Sequence, residues 1–373
     1  MENALSAMAF ISRAPQPVDL AVIEQELASF GYDPEAPEGA TPVMRACMAN
    51  LVILCRNSQE EQEITQEIPV IVAQHPSRVL LLVADATSQS AGLETFVGAH
   101  CRLIEEGQQI CSEQVTVRAG SVGIRRLPSL VRSLRLGDLA TALWWAIPEA
   151  PPLLGTLFDE LAELADQIIY DSVAWTDPIR QLIAMANWVG RGHTKITADL
   201  AWRRPRLWRR LMAQSLDPTY APGALEGITD VHIEHGPHAL TQAWLLAGWL
   251  ALRLGWRPRG GRVTPGPEVH WQFACSYGAP RVRIRRLATG AAEIKTVRVM
   301  TRMAGQPVTF HFQAASASRV SVFAEGFGDR MLSLTGPVLS HADMVARQLP
   351  ELAHDQLFEE SVALARTMAE AVR

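Results

Sequence analysis

The stretch Ile71-Val-Ala-Gln-His-Pro-Ser-Arg-Val-Leu-Leu-Leu-Val-Ala-Asp85 constrains the fold of this chain more than any other. Arg78 opens an unbroken apolar run from Val79 to Ala84, and Asp85 closes it. A run that short, apolar at successive positions, suits a strand covered on both faces, as in the middle of a parallel sheet. Upstream, Gln59 to Val72 reads as a helix over that sheet, with Pro69 predicting a late kink or an early end. Pro76 keeps His75 extended, so helix passes to strand in a tight turn.

Around this strand the chain reads in order. Residues 1–42 are rich in Pro and Ala, with one helix at Val18–Phe30, and form a loosely attached lead-in segment. Residues 43–215 form an α/β domain. Met44–Cys55 gives its first strand, Val97–Ile104 and Gln109–Arg118 a hairpin turning at 105–108, and Leu127–Leu134 a helix. Thr141–Ala146 is a strand, Leu153–Asp166 a helix, Gln167–Asp171 a strand, and Asp177–Trp188 and Pro205–Gln214 are helices. This alternation predicts three layers around a mixed, largely parallel sheet. The Pro- and Gly-containing stretch Ser215–Gly223 marks the boundary to an α+β domain at 216–340. There one strand, Asp230–Glu234, leads to a long packed helix, Ala239–Leu254, and about six short strands follow. Arg281-Val-Arg-Ile-Arg alternates charged and apolar residues, so this antiparallel sheet has one wet face and one face on the helix. A helical tail, 341–373, carries one apolar stripe and should dock on a core or a partner.

Composition excludes several function classes. At 373 residues, with 48% hydrophobic and 20% charged, the chain is an ordinary globular protein long enough for two domains with separate cores. Its net charge of −5 gives no general pull towards nucleic acid or anionic lipid. The cysteines at 47, 55, 101, 111 and 275 form no CxxC pair, which fits a reducing compartment and mostly buried thiols. Met1–Leu20 lacks a basic start before an apolar core, and the most apolar helix is too short to span a bilayer. The expectation is a soluble cytoplasmic protein.

Motifs of chemistry are few. Gly120-Ser-Val-Gly123 and Arg259-Gly-Gly-Arg262 lack the glycine spacing, the Lys and the strand–helix context of a phosphate loop. His232, His235 and His238, with Asp230 and Glu234, have a metal-like spacing but straddle a strand end and a Gly236-Pro237 turn, so surface or helix-entry histidines are the favoured reading. Cys101 and Cys111 lie on the two arms of the hairpin. Buried thiols are the simpler expectation there, and a redox pair is the alternative. Trp202-Arg-Arg-Pro-Arg-Leu-Trp-Arg-Arg210 is the one dense basic and aromatic segment, and its Trp202, Arg203, Trp208 and Arg209 are of the types enriched at binding hot spots. No nucleophile elbow and no paired carboxylates set a catalytic centre apart.

Several stretches together resemble one family, the glucose-6-phosphate dehydrogenase assembly proteins, OpcA, most closely their cyanobacterial branch. They include Asn50-Leu-Val-Ile53, Ile71–Arg78, Ile110-Cys-Ser-Glu-Gln-Val-Thr-Val117, Leu143-Trp-Trp145, Ile169-Tyr-Asp-Ser172, Asp199-Leu-Ala-Trp202 with Trp208-Arg209, and Leu245–Trp256. The resemblance implies a cytoplasmic, non-catalytic partner that binds the oligomeric glucose-6-phosphate dehydrogenase, promotes its assembly and activates it allosterically, supplying NADPH through the oxidative pentose phosphate pathway. It implies no cofactor and no catalytic residues. It also implies thioredoxin control through a late cysteine pair, from which this chain departs, because no cysteine follows Cys275. Two readings compete with it: a sugar-phosphate sensor or enzyme clamping phosphate with Arg78 or the Arg203–Arg210 cluster, and a nucleic-acid-binding protein.

Overall fold

The computed structural model describes residues 10–29, 43–103 and 109–372, apart from 174, 193, 265, 267, 329 and 330. It opens with β1 (Phe10–Pro17) and α1 (Ile23–Ser29). The lead-in is more firmly attached than its composition promised. β1 pairs antiparallel with β5 (Leu93–Leu103), and α1 buries Ile23 and Leu27. The single strand expected at Met44–Cys55 is two, β2 (Val43–Arg45) and β3 (Ala49–Cys55).

Six parallel strands carry the first sheet: β3, β4 (Ser77–Asp85), β6 (Gln109–Gly120), β7 (Thr141–Trp145), β8 (Gln167–Tyr170) and β9 (Ile196–Asp199). They lie side by side as β6-β4-β3-β7-β8-β9. In chain rank that is 3-2-1-4-5-6, the order of a doubly wound sheet. β5 doubles back against β6, β1 lies beyond it, and β2 pairs with β6, which makes nine strands in all. Every residue of β3 is buried, and every residue of β4 except Asp85, as their unbroken apolar runs require. The expected hairpin is β5–β6, and its turn at 105–108 lies outside the described residues.

The crossovers are α2 (Ser58–Gln74), α3 (Leu127–Leu134), α4 (Thr156–Leu164) and α5 (Pro178–Val189). α2 does not stop at Pro69 but continues to Gln74. A proline inside a helix costs about 3 kcal/mol. Ile64, Ile68, Ile71 and Val72 are buried on the sheet along this helix, and at about 1.5–3 kcal/mol each they outweigh that cost. After β9 come α6 (Leu200–Arg203) and α7 (Arg206–Ser215).

The second unit starts with β10 (Ile228–His235) and α8 (Leu240–Arg253). β11 (Arg257–Val263), β12 (Glu268–Ala274), β13 (Arg281–Arg286), β14 (Ile294–Met303), β15 (Gln306–Ser316), β16 (Arg319–Glu325) and β17 (Met331–Thr335) follow. They form an eight-stranded sheet in the order β11-β12-β13-β10-β14-β15-β16-β17, in which β10–β13 is the one parallel pairing and the rest are antiparallel. α8 is buried without interruption from Thr241 to Ala251, because it lies between this sheet and α10 (Gln356–Glu370). Gly248 permits that approach: a Cβ there would sit 3.1 Å from the Ser361 carbonyl oxygen.

The tail docks on both units. α9 (His341–Gln348) packs beside α2 on one face of the first sheet, where Ala342, Met344, Val345 and Leu349 join Leu51, Ile53, Val79 and Leu81 in one cluster. α10 packs against α5 as well as α8. On the other face of the first sheet, a single apolar cluster runs from Val52, Leu80 and Trp145 through Trp202 and Phe358 to Trp244 and Phe273 in the second unit. The two units therefore share a core.

Candidate functional site

A doubly wound sheet in this order binds its ligand outside the carboxyl ends of its strands, at the switch point between the first and fourth strands, here β3 and β7. In dinucleotide-binding sheets the first strand–helix turn is glycine-rich and leaves a helix N-terminus open to pyrophosphate. The turn here, Cys55-Arg56-Asn57-Ser58, contains no glycine. Asn57 caps α2 by accepting from the Glu60 backbone N–H at 2.9 Å. Glu60 turns back to accept from the Arg56 N–H at 2.8 Å and from the Arg56 Nε at 3.0 Å. Glu61, next in the same first turn, is buried and paired with Arg118 at 2.9 Å. Two carboxylates from the chain itself thus occupy the positive end of the helix that a pyrophosphate needs. Asp85, where β4 ends, is committed locally: its Oδ1 accepts from Thr87 Oγ at 2.6 Å and from the Thr87 N–H at 2.9 Å, which holds its carboxyl below the usual value. The residues present do not fit a dinucleotide. Burial pushes the neighbouring Cys55 thiol up to about 12, so it is no nucleophile.

Further along the same edge, the ends of β8 and β9 gather charge. Asp171 accepts from Arg204 at 2.8 Å and 2.5 Å. His341 on α9 reaches Glu67 of α2 with Nδ1 at 2.8 Å and Asp171 with Nε2 at 3.6 Å, and its ring lies 5.4 Å from that of Trp144. Beneath them Asp199 accepts from Ser172 Oγ at 2.6 Å and from the Ser172 and Ala201 N–H groups at 3.1 and 2.8 Å. Burial, reinforced by Asp171, pushes the Asp199 carboxyl up to about 7. The chain Glu67–His341–Asp171–Arg204 ties α9 across the strand ends. Chemically it is a clasp that occupies the crevice with paired charges.

The aromatic and basic segment turns inwards. Trp202 and Trp208 are buried. Trp202 Nε1 donates to Asp355 Oδ2 at 2.9 Å, its ring lies 5.7 Å from Phe358, and the Arg209 guanidinium stacks 3.7 Å over its other face. Arg209 also donates to the Trp202 carbonyl at 2.7 Å, and burial lowers it to about 10. Arg203 is paired with Glu351. Trp202, Arg203 and Arg209 are thus brought together beside the tail, and Trp208 is buried in the core that the two units share. Arg206 and Arg210 are the members of the segment left exposed.

Of the two phosphate clamps considered, Arg78 is engaged elsewhere. Arg78 is buried against Glu113 and Glu24, each at 2.7 Å, and donates to the Leu134 carbonyl at 2.8 Å. The three histidines of the metal-like spacing diverge: His232 is half-buried on the open face of the second sheet, His235 is buried on the opposite face, and His238 is exposed with φ 65°. Cys101 and Cys111 are directly opposite across the hairpin and joined in a disulfide, 8% and 2% exposed. The simpler expectation of two buried thiols is corrected to a buried bond. Among the described residues no helix is long and apolar enough to cross a membrane.

Residues 69–187 match the family model of the glucose-6-phosphate dehydrogenase subunit N-terminal domain, and residues 195–362 match that of its C-terminal domain. A Synechocystis protein named OpcA, for the OxPP cycle, is 33% identical over 206 residues, 54% of this chain and 42% of the relative. One of the same name from Nostoc punctiforme is 30% identical over 190 residues, 50% of this chain and 40% of the relative. The chain thus spans less than half the length of the curated relatives it matches. A levoglucosan dehydrogenase solved in complex with NADH superimposes with a TM-score of 0.50 over 86% of this chain and 94% of that one, at 11% identity. A likeness at that identity is one of fold alone.

Proposed function

Because the chain belongs to the OpcA family of glucose-6-phosphate dehydrogenase assembly proteins, we propose that it is a non-catalytic partner of that dehydrogenase. It binds the oligomeric enzyme, promotes its assembly and raises its activity allosterically, within the oxidative pentose phosphate pathway. The observation that carries this reading is the match of both family domains, in order, along one chain. The turn after β3 supports it, since a dehydrogenase scaffold whose dinucleotide end is filled by Glu60 and Glu61 is suited to binding proteins rather than moving hydride.

Activation requires that the chain bind the active form of the enzyme better than the inactive form, and that difference is the whole effect. If it acts through substrate affinity, glucose 6-phosphate must tighten the complex by the same factor, with a typical coupling of about 1–3 kcal/mol. For the contact surface we retain the segment at Arg203–Arg210, now through Arg203 and the exposed Arg206 and Arg210, with Trp202, Trp208 and Arg209 acting by holding its shape. Reduction of Cys101–Cys111 by a thioredoxin-type dithiol, which would itself close to a disulfide as two cysteine thiols form, is a redox control open to this chain.

The test is a titration of this chain into glucose-6-phosphate dehydrogenase from the same organism, following NADPH formation across glucose 6-phosphate concentrations. A saturable rise in rate or fall in KM is expected. No change in rate, with no co-elution on a sizing column, sinks the proposal.

A further inference from the structure

The open face of the second sheet carries an arrangement that neither the shared core nor the tail uses. Cross-strand neighbours form one continuous row: Arg262 on β11, His270 on β12, Arg283 on β13, His232 on β10 and Arg298 on β14. Arginines alternate with histidines along the row, so no two guanidinium groups stand directly opposite each other. In the adjoining rows the arginines have acidic partners: Asp230 pairs with Arg281 at 2.8 Å and Glu234 pairs with Arg285. Arg283 and Arg262 are exposed and form no ion pair with the described residues. The face thus presents two unpaired guanidinium groups on alternate strands, with His270, in contact with Glu268 at 3.1 Å, between them, and a bound anion would neutralise them.

Four residues of the row, Arg262, His270, Arg283 and His232, line a cavity of about 720 Å³, whose walls also include Asp230, Gln272, Trp271 and Met300. The space beside Gly260 is open, since a Cβ there would meet nothing within 4 Å. That volume lies in the range of small-molecule sites, about 300–1,000 Å³. The lining is polar and apolar in about equal measure, with acceptors and donors for hydroxyl groups around the cationic row and Trp271 and Met300 beside them. Guanidinium groups match phosphate oxygens in charge and fork geometry.

We propose that this cleft binds a small phosphorylated, hydroxyl-rich molecule, a sugar phosphate, with Arg283 and Arg262 on the phosphate and His232, His270, Asp230 and Gln272 towards the hydroxyls. The site is independent of the dehydrogenase reading and lies on the second sheet, whereas the crevice at the ends of β8 and β9 belongs to the first.

The full chain is titrated with glucose 6-phosphate, glucose and inorganic phosphate, by calorimetry and by thermal unfolding. The hexose phosphate should bind saturably and raise the unfolding temperature, glucose should not, and Arg283→Ser should weaken binding about ten-fold or more. Arg206→Ser, on another surface, should leave binding unchanged. Without ligand, Arg283→Ser should be about as stable as the parent, because Arg283 is exposed and forms no ion pair with the described residues, whereas a merely structural arginine would cost stability. Absence of saturable binding at millimolar hexose phosphate overturns the proposal. Equal affinity for inorganic phosphate overturns its sugar part. Loss of dehydrogenase affinity in Arg283→Ser, with no hexose phosphate binding in the parent, overturns it in favour of a protein-docking face.

Discussion

The buried arginine at the foot of β4 gives the most demanding test of how this fold is held. Arg78 and Glu113 have side chains 4% and 5% exposed and meet at 2.7 Å, whereas Glu24, on the other side of the guanidinium, is 56% exposed. Removing one partner of a buried ion pair leaves an uncompensated charge and costs about 3–5 kcal/mol. Removing an exposed partner costs about 0–1 kcal/mol. Glu113→Gln should therefore destabilise several times more than Glu24→Gln, although both contacts have the same length. Arg78→Met should match Glu113→Gln, and the double substitution Arg78→Met/Glu113→Leu should cost far less than the sum of the singles, because no charge is then stranded. Guanidinium chloride unfolding followed by tryptophan fluorescence reads all of these. If the singles at 78 and 113 add to within about 0.5 kcal/mol, the two groups are not coupled and the reasoning fails.

Asp199 makes stability depend on pH in a defined sense. Its carboxyl titrates at about 7 in the folded chain against an ordinary 3.8, so its contribution is full below the ordinary value, is lost as pH rises towards 7, and is level above. Asp199→Asn keeps the acceptor for the Ser172 and Ala201 N–H groups and should flatten that slope, by up to about 4 kcal/mol between the two limits. An unchanged slope in unfolding measurements assigns it to another group. Asp355→Ala removes both the cap on α10 and the acceptor of Trp202 Nε1. It should cost about 1–3 kcal/mol and speed amide exchange in α10 first; uniform loss of protection would contradict a tail held through this residue. Thiol titration of the unfolded, unreduced chain should count the three free cysteines and rise to five after reductant, and a count of five from the start rules the disulfide out.

Elements with one dominant signal were legible in the sequence. Leu127–Leu134, with a proline in its first turn, and the β4 run, apolar throughout, have the bounds their patterns give. β9 and β11 escaped for opposite reasons. Ile196–Asp199 is four residues long and half polar, buried by its neighbours rather than by its own pattern, while Arg257–Val263 contains Pro258, Gly260 and Gly261 and reads as a turn. The strand order of the first sheet is a property of pairing, which no local pattern encodes. The segment Trp202–Arg210 stands out in the sequence, but the burial of its tryptophans does not, because hot-spot residues and tail-seating residues have the same composition. The partner that decided between them, Asp355, lies far along the chain. The cationic row was hidden for the same reason: Arg262, His270, Arg283, His232 and Arg298 come from five strands, and each looked like an ordinary polar position on a wet face.

The place of α9 has a consequence for biosynthesis. Leu51, Ile53, Val79 and Leu81 on the first sheet are covered partly by a helix that a ribosome makes only after every strand of both sheets. A nascent chain cannot finish its first domain and set it aside. It carries an uncovered apolar sheet face through the synthesis of the second, a surface that chaperones recognise and that favours association with other chains. Completion of α9 closes that window, and the clasp from Glu67 through His341 to Asp171 and Arg204 forms only then.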